Sequence, residues 1–116
     1  MAAMTDAEMS FERFKDELDA FLWKVQGARI LDAEAFERLN ADSHKLAAEL
    51  KSWPLLPKSV LNEIRAATKI LRAEAEHMPE EQDAMLDMAA KLEMTFDLIL
   101  MGEDHSDRSP GVPRII

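Results

Sequence analysis

The sequence predicts an all-α fold, an up-down-up-down antiparallel four-helix bundle followed by an extended C-terminal tail. Three observations carry that expectation. The chain is rich in Ala, Leu, Glu, Lys, Arg and Met but has only three glycines and no tyrosine in 116 residues, a mixture that favours helix over strand. Apolar side chains recur at steps of three and four in four separate stretches. Between those stretches stand residues that start or stop helices: Gly27, Asp32, Pro54, Pro57, Pro79 and Gly102.

The first helix is expected over residues 6–26. Thr5 and Glu8 have the spacing of a capping box, and Phe11, Phe14, Leu18, Phe21, Leu22 and Val25 form a stripe about 100° wide. Gly27 is its expected stop. Asp32 caps a second helix over 33–52, with Phe36, Leu39, Leu46, Leu50 and Trp53 inward and with Asn40 and Ser43 interrupting the stripe. A polar pair so close to the core either fixes helix register or holds a buried water. The run Trp53-Pro54-Leu55-Leu56-Pro57 breaks the helix, because each proline disfavours helical backbone in the residue before it. Its two leucines are expected to fold back onto the end of the bundle.

A third helix over 58–78 would bury Val60, Leu61, Ile64, Ala67, Thr68, Leu71, Ala75 and Met78. Pro79 opens a fourth over 80–101, where Glu80, Glu81 and Asp83 suit a helix N-terminus. Its core stripe reads Met85, Met88, Ala89, Leu92, Phe96, Ile99 and Leu100. Residues 1–4 form an N-terminal extension, 5–102 the bundle, and 103–116 an acidic linker with a proline-containing tail. His105, between Asp104 and Ser106, reads as part of that solvated linker.

Charge and composition exclude several function classes. Residues 79–107 hold nine acids against Lys91 alone, a balance of −8 within a total of −9. Such a field repels phosphates and anionic lipid, so nucleic-acid and membrane binding are not expected there. With no cysteine there is no disulfide, thiolate metal site or cysteine nucleophile, and the composition suits a cytoplasmic protein. No leader pattern occupies the first ten residues, and the longest strongly apolar run is Leu98 to Met101. The glycines are isolated and no strand precedes one, which removes phosphate loops and nucleotide folds.

Two patterns touch on chemistry. Glu74 and His77 form an i, i+3 pair that, with Glu81, offers a weak mononuclear metal site; di-iron bundles need two such pairs and further glutamates. His44 lies too far along the bundle axis to join it, so no stoichiometric metal or other cofactor is expected. Arg72 and His77 also have the spacing Arg-x4-His, which resembles the motif of HEPN-type ribonucleases, themselves helical bundles of similar length. That resemblance implies phosphodiester cleavage at Arg72 and His77, though residues five apart on a regular helix diverge by about 140° and converge only where the helix breaks. Arg38 and His44 nearly repeat the spacing. No residue is assigned a catalytic role.

The leading expectation is a non-enzymatic helical interaction module, a homodimer or an adaptor or regulatory subunit. Trp23 projects away from the first helix's core stripe, and Met94, Leu98 and Met101 make an i, i+4, i+7 row opposite the fourth helix's stripe. With the tail residues Val112, Arg114, Ile115 and Ile116 they form the expected surface for a second copy or another protein. The alternative is a metal-binding or hydrolytic bundle that uses Glu74, His77 and nearby acids.

Overall fold

In a computed structural model that describes residues 5–108, the chain forms four helices and no strand among the described residues. Residues 1–4 and the tail from Ser109, with Val112, Arg114, Ile115 and Ile116, lie outside the described residues.

Helix α1, Asp6–Trp23, starts as its sequence predicts: Thr5 Oγ1 accepts a hydrogen bond from the Glu8 amide at 3.1 Å. Phe14, Leu18, Phe21 and Leu22 are buried, and Phe11 packs on the core half-covered. The helix does not stop at Gly27. After Trp23 the hydrogen bonding widens into a π turn, Lys24–Ala28, and Arg29 takes the left-handed conformation at φ 56° while the Ile30 amide closes on the Lys24 carbonyl at 3.0 Å. The wider turn keeps Val25 fully in the core. Gly27 has neither a positive φ nor a neighbour within 4 Å of where a Cβ would sit.

Helix α2, Ala33–Leu50, begins at Asp32, whose Oδ1 accepts from the Ala35 amide at 3.0 Å. Phe36, Leu39, Leu46, Ala47 and Leu50 are buried, and the Phe36 ring lies 5.6 Å from that of Phe21, tying α2 to α1. In the link that follows, Leu56 packs on the core but Leu55 is 84% exposed, so only one of the two leucines folds back. Helix α3, Lys58–Ala75, buries Val60, Ile64, Ala67, Thr68, Leu71 and Ala75. It ends before residue 78, because the Met78 amide closes a tight turn on the Ala75 carbonyl at 3.3 Å while its side chain stays buried. Helix α4, Gln82–Met101, starts two residues later than expected and stops at Gly102, whose φ of 69° lets the Glu103 amide return to the Leu98 carbonyl at 2.9 Å.

The bundle is two helix pairs, α1 on α2 and α3 on α4, which meet where α2 packs on α4 and, more lightly, α1 on α3. Helix α4 is therefore covered from two sides, and this changes which of its residues are inside. Its core stripe runs Met85, Met88, Leu92, Thr95 and Ile99, alternating steps of three and four with a polar residue at one place. Leu98, expected on the outer row, is 1% exposed. It lies about 60° round the helix from Thr95, at the edge of the core stripe. Leu100, expected inside, is 53% exposed. Phe96 is half-buried, at the edge of a shallow groove between α3 and α4 that Arg65, Lys69, Arg72 and Asp97 also line. None of the described helices is long and apolar enough to cross a membrane.

Candidate functional site

Two regions carry side chains that core packing alone does not explain. The first is the outer face of α4. Leu86, Met94, Leu100 and Met101 are each 42–53% exposed, four of the nine large apolar side chains left at the surface among the described residues. With Ala90 they share the half of the helix opposite the core stripe, interleaved with Glu93 and Asp97. The row expected from sequence thus keeps Met94 and Met101, loses Leu98 to the interior, and gains Leu86 and Leu100. Trp23 is 72% exposed, as its position on α1 suggested. Because α1 packs chiefly on α2 and α3, the fold does not join Trp23 to the α4 face.

The second region is a polar cluster between α2 and the end of α4. Of Asn40 and Ser43, the pair that interrupts the α2 stripe, Ser43 meets α4: its Oγ donates to the Asn40 carbonyl at 2.7 Å and lies 3.3 Å from Thr95 Oγ1. Thr95 Oγ1 reaches the Lys91 carbonyl at 3.3 Å and His105 Nε2 at 3.2 Å. His105 opens a short 3₁₀ turn, His105–Asp107, whose first turn is fixed by Asp104 accepting from the Ser106 amide and by Asp107 accepting from the Asp104 amide, each at 2.9 Å. Its imidazole stacks on that of His44, with ring centroids 3.4 Å apart and planes 11° from parallel. Lys51 at the end of α2 holds the turn in place through Asp107, at 2.7 Å. The expectation of a solvated linker at His105 is therefore corrected: residues 103–108 dock on α2 and α4. Sequence reading missed this because the segment has no period, and because polar residues such as Thr95 were left out of the core stripe.

Burial holds the His44 imidazole below its usual titration range. Burial does the same for His105, the neighbouring His44 adds to it, and Asp104 opposes it. Ser43 and Thr95 have no solvent exposure, so neither hydroxyl can meet a substrate, and a serine or threonine nucleophile has no access here.

The residues singled out for metal or phosphate chemistry do not converge. The Glu74 carboxylate is taken by the Arg29 guanidinium, and His77 and Glu81 stand exposed in the turn between α3 and α4. Among the described residues no three His, Cys, Asp or Glu side chains gather where an ion could be held. Helix α3 does end between Arg72 and His77, but Arg72 is turned to Glu93 of α4 at 2.9 Å. Comparison of the chain with protein-family models, with curated proteins and with solved structures finds no match.

Proposed function

We propose that this protein is a helical interaction module that self-associates through the outer face of α4. One observation supports the reading above others: α4 is apolar on two opposite faces, one packed against α2 and α3 and the other, with Leu86, Met94, Leu100 and Met101, about half in water. Covering the exposed half of each of these four side chains is worth roughly 1 kcal/mol apiece, half the value of full burial. Two copies about a twofold axis bury eight such side chains, a gain of the same order as the cost of association. The dimer is accordingly weak. Asp87, Glu93 and Asp97 approach their copies, so salt strengthens it by screening. A chain without cysteine suits a cytosolic setting for such a module.

Sedimentation equilibrium from micromolar to millimolar protein tests this. The parent should dimerise and tighten between low and high salt, while the pair of substitutions Leu86→Glu and Met94→Glu should leave a folded monomer. A parent that stays monomeric at millimolar concentration and high salt rules the reading out. Leu98→Glu is unsuited to the test, since it buries a charge and attacks the fold itself.

A further inference from the structure

We propose that the stacked pair His44 and His105 is a proton-operated latch, which holds residues 103–108 on α2 and α4 at neutral pH and releases them in mildly acidic solution. The inference stands on geometry. Two imidazole rings overlap at 3.4 Å, an arrangement open to neutral rings but one in which two imidazolium charges repel at close range. Nε2 of His105 meets Thr95 Oγ1 at 3.2 Å, whereas Nδ1 is buried with no hydrogen-bond partner among the described residues. Protonation turns both nitrogens into donors, and the second then faces no acceptor. Undocking places both rings in water, where each can take its proton.

The groups around the pair favour the same outcome. From α2 come His44 itself, the Asn40 side chain beyond Ser43, and Lys51, a cation whose charge is shared between Asp104 and Asp107. From α4 come the Thr95 hydroxyl and the Lys91 carbonyl, while the Lys91 ammonium is engaged by Asp87. Within the segment, Glu103 pairs with Arg108, and Asp104, a carboxylate that favours a charged His105, already accepts from the Ser106 amide and hydroxyl. A hinge is present at Gly102, whose left-handed backbone joins the segment to α4.

The direction with pH follows from the depressed titration of both rings. The docked state binds fewer protons than the free one, so docking is strongest above the ordinary histidine value of 6.5 and is lost as the pH falls through the depressed values. With two protons taken up per release, the docking equilibrium falls by up to about 100-fold per pH unit in that window. The Asp107 carboxyl is held below its usual range by the hydrogen bond from Lys51, so Asp107 stays charged through the window and does not supply the switch.

Backbone ¹⁵N relaxation and imidazole shifts of the full chain, followed from pH 7.5 to 5, test the latch. The amides of residues 103–108 should lose order with one midpoint shared by both histidines and a slope steeper than one proton, while the amides of α1–α4 remain protected. His44→Phe keeps a flat ring for His105 to stack on, so the segment should dock at pH 7.5 and its release should fall to a one-proton slope. His105→Ala should leave the segment undocked at every pH. The proposal fails if residues 103–108 stay ordered while both imidazoles titrate, if the two rings titrate independently, if His44→Phe releases with the parent's slope, or if the whole bundle loses protection together with the segment.

Discussion

Truncating Leu98 and Leu100 to alanine, one at a time, measures how α4 is rolled about its axis. The two residues point about 200° apart on a helix, and the fold places the first inside and the second out. Leu98 is 1% exposed, so Leu98→Ala removes a fully enclosed side chain and should cost roughly 2–5 kcal/mol. That is a large share of the about 5–15 kcal/mol that holds a domain of this size together. At about 4–8 °C per kcal/mol for a small domain, the melting temperature should fall by about 8 °C or more. Leu100 is 53% exposed, and Leu100→Ala should cost no more than about 1 kcal/mol, the value of a half-buried side chain. Urea unfolding followed by circular dichroism gives both numbers, with unchanged slopes confirming the same two-state transition. If Leu100→Ala costs as much as Leu98→Ala, α4 is rolled the other way, and the outer face described above is wrong.

Gly27→Ala separates the expected helix stop from the observed one. A left-handed stop at Gly27 would make alanine destabilising, whereas the open space and ordinary φ found there predict a gain of roughly 0.4–1 kcal/mol by thermal unfolding, from the reduced freedom of the unfolded chain. Glu17→Gln should also stabilise near neutral pH, by less than roughly 1 kcal/mol for a partly solvated carboxylate. Burial first, then a hydrogen bond to Asp42 and repulsion from it, raise the Glu17 carboxyl above its ordinary value of 4.5, against the pull of Arg38 and Arg13. A raised folded-state value contributes stability that is present below the unfolded value and lost as the pH rises through the folded one. The advantage of glutamine should therefore be measurable at pH 7 and gone by about pH 4; an advantage that grows toward acid would contradict the raised value.

The four helices were legible because each has a stripe long enough to outweigh local irregularity, and the α1 stripe from Phe14 to Val25 was read almost residue for residue. Errors arose where the deciding physics was not local. The end of α1 is set by a π turn that keeps Val25 inward, and no residue near Gly27 signals it. That Leu98 is covered while Leu100 is not depends on tertiary packing around α4, which a single helical wheel does not contain. Thr95 did fit the three-four alternation of α4, and its polarity hid it. The surface of α4 was half legible, with Met94 and Met101 found and Leu86 and Leu100 missed. The docked His105 left no mark in any period, because its hold depends on a ring stack and an ion pair between residues more than fifty positions apart.

The pairing of α1 with α2 and of α3 with α4 gives the molecule a seam. Each pair closes over a short stretch of chain and can form early, with little loop entropy to overcome, whereas the contacts of α2 with α4 and α1 with α3 join distant parts of the sequence and come later. The seam is spanned by the link from Lys51 to Pro57, whose most prominent side chain, Leu55, projects into solvent. A protease cutting beside Leu55 would sever the covalent connection between the pairs while leaving every helix intact. The two halves would then report directly how strongly the seam alone can hold them.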